Sequence, residues 1–317
     1  MAATGGPSRK LTDCGAIPDC IDALDPTWSP DGRLIVFEVE RDGGRRSLFL
    51  MNADGTGLRQ LTFHNDDCCA SWQPLPSSPS TEHWSVAANG VIWARVGGGD
   101  GPSFVYSVDP DGSGKTLLFS DGRDPNSPPE TVNPEAVGED YAWTPEGSQV
   151  AFLHSTNFDP GRGQFSAIFA MNPDGSSLTQ LTPDGEVDSG PAWSPDGARI
   201  AYASDRTGPF SEGAGCWATY LCSGDIHVMN ADGSGDIQLT DDPADDSQPA
   251  WSPDGTRIAF VSQRDDANRG DIFVMSADGS GLTQLTSGRD WDRSPHWSPD
   301  GSVIAFLSYG DRAWNVY

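Results

Sequence analysis

The sequence predicts an all-β protein, a six-bladed β-propeller with four antiparallel strands in each blade. The first observation is a repeated motif, Trp-Ser-Pro-Asp-Gly, which begins at Trp28, Trp193, Trp251 and Trp297 and has a variant at Trp143. The second is the pattern after each copy, which is an alternating apolar segment, another such as "IFVMSADG", and a closing segment such as "LTQLT". Four short strands repeated roughly every 50 residues are typical of propeller blades.

The tripeptides between these strands predict tight hairpin turns. Pro-Asp-Gly follows the first predicted strand of most copies, and Ala-Asp-Gly follows the third in several. Glycine adopts a positive φ without the steric cost that other residues meet, so it suits the last position of such turns.

A further copy is less regular. Residues 66–74 match residues 245–253 closely, which makes Trp72 its motif residue. Trp84 is the alternative, because Trp93 follows it at the distance that separates motif Trp and aromatic residue in the other copies. We favour Trp72 and expect blades to begin near Trp28, Trp72, Trp143, Trp193, Trp251 and Trp297.

The last copy stops at Tyr317, before a closing segment. Residues 8–13 read "SRKLTD" and resemble the closing "LRQLT" of residues 58–62. We therefore predict that residues 1–13 supply the outer strand of the last blade and that residues 1–317 form a single domain. Strands donated from both chain ends would leave no long open edge between the first and last blades.

The amino-acid composition limits the classes of partner that the protein is expected to bind. There are 46 acidic and 19 basic residues, a formal net charge of −27. A surface this negative repels phosphate backbones and anionic membranes, so we expect no nucleic-acid partner, and we expect no membrane insertion. No apolar run is long enough for a membrane span, and residues 1–13 lack the apolar core of a signal peptide.

Six cysteines occur in three close pairs. The pairs are Cys14 with Cys20, Cys68 with Cys69, and Cys216 with Cys222. An even number of cysteines in loop-like sequence favours disulfides and an oxidising compartment. We predict the bridges 14–20 and 216–222 and leave Cys68 and Cys69 unassigned. Metal binding is the alternative, but the sequence has no Cys-x-x-Cys pair and no paired His spacing to support zinc.

Two stretches carry a family resemblance: "PAWSPDGARIAYASDR" with "DIHVMNADGSGDIQLT", and "PAWSPDGTRIAFVSQR" with "DIFVMSADGSGLTQLT". They resemble the WD40-like PD40 repeats of TolB-type six-bladed propellers. The resemblance implies a secreted or periplasmic binding platform. Similar propellers also occur beside peptidase domains and in some polysaccharide lyases, so the fold leaves the function open.

Insertions make the loops on one face of the predicted propeller differ from blade to blade. Residues 119–141, 154–167 and 204–225 lengthen adjacent copies, and the Cys14–Cys20 loop would lie on the same face. Variable loops on a rigid scaffold are common binding surfaces. The alternative is sequence drift in loops without function.

Carboxylates recur five residues before the motif Trp in four copies: Asp67, Asp188, Asp246 and Asp292. A cluster of such groups could bind Ca²⁺ through oxygen ligands. The structural alternative is that each Asp accepts backbone N–H groups in a turn, and we favour it because a residue common to the repeats indicates scaffold.

Residues that depart from the repeat are better candidates for a functional site than residues that the repeats share. His296 replaces the small residue that precedes the motif Trp in the other copies. We expect a ligand to contact aromatic and charged residues near this position and in the inserted loops: Trp291, Arg293, His296, Trp217 and Arg206. Catalysis by His296, His154 and Asp292 is the alternative, although no Ser or Cys nucleophile motif accompanies them.

Taken together, these features favour a monomeric, secreted or periplasmic module that recognises a protein or glycan through the loops of one face. The alternative is an enzyme, a lyase or hydrolase acting on a carbohydrate or small metabolite at the channel mouth, with Ca²⁺ as a candidate cofactor.

Overall fold

The protein is described by a computed structural model. The residues it describes are 8–14, 17–29, 31–41, 45–62, 67–72, 92–96, 104–108, 116–120, 141–159, 163–172, 177–205, 224–266, 269–288, 290–310 and 313–317. In that part of the chain, no helix is long and apolar enough to cross a membrane.

The described residues form 23 β-strands, numbered in chain order. They are β1 (Cys20–Trp28), β2 (Leu34–Arg41), β3 (Arg45–Asn52), β4 (Arg59–Gln60), β5 (Asp67–Trp72), β6 (Ile92–Val96), β7 (Phe104–Val108), β8 (Thr116–Ser120), β9 (Tyr141–Trp143), β10 (Val150–Asp159), β11 (Gly163–Met171), β12 (Thr179–Gln180), β13 (Asp188–Trp193), β14 (Arg199–Ser204), β15 (Asp225–Asn230), β16 (Ile237–Gln238), β17 (Asp246–Trp251), β18 (Arg257–Asp266), β19 (Arg269–Ser276), β20 (Thr283–Gln284), β21 (Trp291–Trp297), β22 (Ile304–Gly310) and β23 (Ala313–Val316).

The strands build an all-β propeller of antiparallel sheets in which chain neighbours pair. Five sheets have four strands: β1–β4, β5–β8, β9–β12, β13–β16 and β17–β20. The sheet of the last copy has only three strands, β21–β23. The prediction of six four-stranded blades is therefore wrong, because the structure has five complete blades.

The predicted outer strand from the N-terminus is also wrong, since residues 8–13 form no strand. In the first blade the outer strand is only two residues long, and its pairs are Phe49 with Gln60 and Leu50 with Arg59. Residues 11–12 contact β23 through separate hydrogen bonds and form no such ladder.

Two residues of the N-terminal segment nevertheless contact the last strand. Leu11 N donates to Val316 O at 2.7 Å, and Val316 N donates to Thr12 Oγ1 at 2.9 Å. Complete blades contain the same pair of bonds, for example Leu61 N to Leu48 O at 2.8 Å and Leu48 N to Thr62 Oγ1 at 3.0 Å. We call this arrangement the Leu-Thr clip. It joins residues 11–12 to β23 without a strand.

The Ser-Pro-Asp-Gly turns explain the most regular part of the sequence. In the turn after β17, Ser252 Oγ donates to Asp254 Oδ1 at 2.6 Å, and the same oxygen accepts Thr256 N at 3.0 Å. Gly255 has a φ of 68°, a conformation that side chains other than glycine strain to adopt. These hydrogen bonds hold the pKa of Asp254 at about 2, below its usual value.

Three motif Trp residues, Trp193, Trp251 and Trp297, pack between neighbouring blades. Trp251 Nε1 donates to Ala192 O at 3.1 Å, and the Arg199 guanidinium lies 4.6 Å from the centroid of its ring system. Trp193 and Trp297 donate to Ala142 O and Ala250 O in the same way. The motif Trp residues of these blades are therefore part of the core.

The chain divides into two compact units. The larger unit comprises residues 1–7 and 136–306, and the smaller unit comprises residues 8–135 and 307–317. In the smaller unit a core around Phe37, Phe49 and Met51 includes Leu307 and Val316 from the end of the chain. In the larger unit, apolar clusters join the sheet β13–β16 to the preceding and the following sheet. The single-domain interpretation stays a prediction.

Candidate functional site

Sheets β13–β16 and β17–β20 of the larger unit each have two distinct ends. At the turn end, the first strand runs from its Trp into a Ser-Pro-Asp-Gly turn. At the opposite end, which we call the loop end, polar residues form a row across the sheet. Asp188, Ser204 and Asp225 pair across β13, β14 and β15. Asp246, Ser262 and Asp271 pair across β17, β18 and β19.

A bulge recurs in the first strand close to the loop end. Gly190, Gln248 and Ser294 have φ values of 58°, 53° and 52°, and the register of β13 and β17 shifts there. Ser294 N donates to Gln248 Oε1 at 2.7 Å, which links two of the bulges. Sequence reasoning missed this feature, although its signal was a recurring position three residues before the motif Trp. Bulges often re-aim side chains beside functional sites.

Strand β21 brings four of the predicted site residues together. Trp291 is 48% exposed, whereas Asp292 is only 7% exposed. Arg293 and His296 are partly buried on the same strand. Burial lowers the pKa of His296 to about 4, so its imidazole is neutral at neutral pH. The strand therefore offers an exposed aromatic ring, a guanidinium and a neutral imidazole.

Asp246 forms an ion pair with Arg264 of the same chain. Its two carboxylate oxygens accept Arg264 Nη2 at 3.2 and 2.9 Å. The Arg264 guanidinium also lies 4.8 Å from the centroid of the Phe273 ring. Asp246 is fully buried, and desolvation raises the pKa of its carboxyl group despite this partner. Sequence reasoning missed the pair, although an Arg recurs at the same repeat position as Arg41, Arg206 and Arg264.

Among the described residues, no group of side chains is arranged to coordinate the expected Ca²⁺. Asp188 and Asp292 are buried at the loop end like Asp246. In the described ranges, no three His, Cys, Asp or Glu side chains form a group that could hold a metal ion. The Ca²⁺ site stays a prediction.

Carboxylates crowd one another at the loop end. The pKa of Asp245 is raised to about 7, chiefly by desolvation and further by the charges of Asp246 and Asp225, although a bond from Gly224 N opposes the rise. The pKa of Asp271 is raised to about 6, again chiefly by desolvation and then by Asp292. Carboxylates of the turn end differ, because hydroxyl and backbone donors lower their pKa values.

Several predicted residues lie outside what the structure describes. These are Trp217, Arg206, Cys216 and Cys222, together with most of the inserted residues 119–141 and 206–223. Asp67 and His154 lie on β5 and β10, but their side chains are not among the described ones. The disulfide between Cys14 and Cys20 is confirmed, with Cα atoms 5.1 Å apart.

Comparison with known proteins agrees with the repeats. Residues 218–317 match the sequence model of PD40, the TolB beta propeller domain. The Tol-Pal system protein TolB of Anaeromyxobacter dehalogenans is 32% identical over 70% of this chain and 41% of that protein, so the chain spans less than half of that relative. An uncharacterized protein of Agrobacterium fabrum is 27% identical over 80% of this chain and 70% of its own length.

Solved structures share the fold. A putative TolB from Agrobacterium tumefaciens superposes with a TM-score of 0.59 at 21% identity, over 91% of this chain and 90% of that one. An oligogalacturonate lyase from Vibrio parahaemolyticus reaches a TM-score of 0.56 at 12% identity, over 97% and 91%. At such identities the likeness shows the fold alone. The chain is thus built of TolB-like β-propeller repeats.

Proposed function

We propose that this chain is a binding platform, secreted or periplasmic, and that the loop end of its larger unit takes a basic segment of a partner protein. The observation that carries the proposal is the crowding of carboxylates there, which raises the pKa values of Asp245 and Asp271 to about 7 and about 6. The relative named as a Tol-Pal system protein supports a role in protein interaction.

The electrostatic argument follows from those raised pKa values. Each carboxylate ionises against desolvation and against like charges, so a Lys or Arg side chain placed beside them would relieve both costs. The turn end does not have this property, because hydroxyl and backbone N–H donors lower the pKa values of its carboxylates. The loop end is therefore the better cation-binding face.

Trp291 adds a contact suited to the same partner. Its side chain is 48% exposed and lies one residue from Asp290 on one side and Asp292 on the other. A cation over an indole ring gains about 0.5–1 kcal/mol at an exposed site. The exposed Trp291 ring would therefore favour Lys or Arg over a neutral side chain.

A panel of peptides of equal length and opposite charge tests this proposal. Basic peptides should bind the full chain, acidic ones should not, and affinity should fall as salt rises. Trp291→Ala should weaken binding about 3-fold, as the loss of an exposed cation–π contact implies. The matched control is Leu282→Ala, an exposed apolar side chain near the turn end. Equal binding of acidic peptides, or an equal loss in Leu282→Ala, would contradict the proposal.

A second candidate is catalysis at the loop end with His296 as a base. The specific observation is that His296 replaces the small residue that precedes the motif Trp in the other copies. Its imidazole is neutral at neutral pH, but a pKa of about 4 makes it a weak base, so any turnover should be slow. Turnover of oligogalacturonate, followed through the unsaturated product, should be measured for the wild type and for His296→Gln. Turnover that is absent in the wild type, or equal in both proteins, would remove this candidate.

A further inference from the structure

One blade differs from three others at three repeat positions at once. Sheet β13–β16 has Tyr202 where sheets β1–β4, β9–β12 and β17–β20 have Phe37, Phe152 and Phe260. It has His227 where they have Phe49, Phe169 and Phe273. Before the outer strand it has Asp236 where they have Leu58, Leu178 and Leu282.

The three exceptional residues contact one another. Tyr202 Oη donates to Asp236 Oδ1 at 2.6 Å. His227 Nδ1 lies 3.3 Å from both oxygens of Asp236. The rings of Tyr202 and His227 are 5.5 Å apart, where the Phe pair of the next blade is 6.0 Å apart. The polar set therefore occupies the place of an apolar set without changing the packing of the rings.

The rings are buried while the carboxylate lies at the edge. Tyr202 and His227 are 0% and 3% exposed, and Tyr202 belongs to the apolar cluster shared with the preceding blade, around Ile168 and Leu181. The Asp236 side chain is 29% exposed to solvent. Asp236 thus brings an acceptor from the connection between β15 and β16 to two rings inside the blade.

The neighbouring copies are similar enough to exchange outer strands. Residues 225–240 read "DIHVMNADGSGDIQLT" and residues 271–286 read "DIFVMSADGSGLTQLT". If β16 docked on β19, Asp236 would meet Phe260 and Phe273, which offer no hydrogen bond. If β20 docked on β15, Leu282 would leave the Tyr202 hydroxyl and the His227 ring without this acceptor. Both exchanges remove the contacts of Asp236 with Tyr202 and His227, and losing hydrogen bonds of buried groups is costly.

We propose that Tyr202, His227 and Asp236 form a pairing lock, which commits the β16 segment to its own blade during folding. Repeat proteins misassemble when near-identical units exchange elements, and buried polar sets are one way to specify a single partner. The lock distinguishes this blade from its neighbours because only Asp236 accepts hydrogen bonds from Tyr202 and His227, whereas the Leu of a neighbouring blade cannot. It is independent of the proposed binding function, because it involves none of the loop-end residues.

A mutant cycle tests whether the three residues act as a unit. Asp236→Leu alone should lower the Tm by about 4 °C, because it removes the acceptor of two buried rings. In the background of Tyr202→Phe with His227→Phe, the same change should not lower the Tm. A drop of equal size in both backgrounds would overturn the lock.

The next blade supplies a matched control. Leu282→Asp should lower the Tm on its own, and adding Phe260→Tyr with Phe273→His should restore it. Failure of the transplanted set to restore the Tm would show that the three side chains do not suffice, and would overturn the proposal.

Refolding tests the role as a lock rather than as a stabilising contact. The triple variant Tyr202→Phe, His227→Phe, Asp236→Leu carries the residues of the neighbouring blade, so it should fold with a Tm near that of the wild type. Diluted from denaturant, it should give at least 2-fold less monomeric native protein than the wild type. A wild-type yield, or a triple variant that does not fold at all, would overturn the proposal.

Discussion

At the scale of single residues, buried charge at the loop end decides both stability and binding. Arg264 neutralises Asp246, donates through Nε to Ser262 Oγ at 2.8 Å, and covers the Phe273 ring. A buried ion pair contributes little in itself, but removing one partner leaves the other desolvated and unpaired. The pair therefore acts as a constraint on the strands that carry it.

Arg264→Met should lower the free energy of unfolding by about 3–5 kcal/mol, because it leaves the Asp246 carboxylate buried without its cation. Denaturant unfolding measures the change. Arg33→Met, at a side chain with 84% exposure, should change stability by less than about 0.5 kcal/mol. Equal effects of the two substitutions would show that the Asp246–Arg264 pair carries no special constraint.

Asp245 should make stability depend on pH. Its pKa in the folded chain, about 7, lies above the ordinary value of 3.8, so the folded state binds more protons than the unfolded state between these values. Stability should therefore fall as the pH rises from about 4 to about 7. Asp245→Asn keeps an acceptor for Gly224 N and removes the charge, so it should raise the Tm at pH 8 and change it little at pH 4.

The control for that profile is Asp241→Asn, at an exposed position in the same connection. Because this side chain is exposed, the substitution should raise the Tm at pH 8 less than Asp245→Asn does. If Asp245→Asn follows the wild-type profile throughout, the burial argument for Asp245 is wrong.

At the scale of elements, the Leu-Thr clip is the smallest unit that closes a blade. Thr12 Oγ1 accepts Val316 N at 2.9 Å and contacts Asn315 Oδ1 at 3.5 Å. In a complete blade Thr286 makes the matching contacts with Ile272 N and Asp271. The similarity means that residues 11–12 act as a closing segment even though no strand forms there.

Thr12→Val should therefore destabilise the protein about as much as Thr62→Val, by about 1–3 kcal/mol, since each leaves one buried backbone N–H without its acceptor. Thermal unfolding of the two variants side by side measures this. A neutral Thr12→Val beside a costly Thr62→Val would show that the contact between the chain ends contributes nothing.

The sequence predicted some of these elements and could not predict others. The turns were predictable because Ser, Asp and Gly of one motif satisfy one another within five residues, as Ser298, Asp300 and Gly301 do. The absence of an outer strand from the sheet β21–β23 was not predictable. A strand of only two residues depends on a partner position that lies outside the motif. The contacts of Asp246 with Arg264 and of Tyr202 with Asp236 join residues that are 18 and 34 positions apart. A repeat alignment marks these residues only as recurring or exceptional.

At the scale of the whole molecule, the larger unit presents two ends of different chemistry. The turn end repeats from blade to blade, and its carboxylates are satisfied locally. The loop end of the larger unit combines crowded carboxylates with Trp291, Arg293 and the bulges of β13, β17 and β21. A scaffold with one uniform end and one varied end places recognition at the varied end.

Binding of a basic peptide at the loop end should release protons. A cation near Asp245 and Asp271 lowers their raised pKa values, so at pH 6.5 the complex should hold fewer protons than the free chain. Calorimetry in buffers of different ionisation enthalpy measures the number released, and Asp245→Asn should reduce it. Proton uptake on binding would contradict this electrostatic account.

The central claim is that the loop end of the larger unit receives the partner. Amide hydrogen exchange, with and without the basic peptide that binds best, tests it most directly. The account predicts added protection in residues 188–190, 246–248 and 292–294, with little change in the turns at 196–198, 254–256 and 300–302. Protection confined to those turns would contradict it.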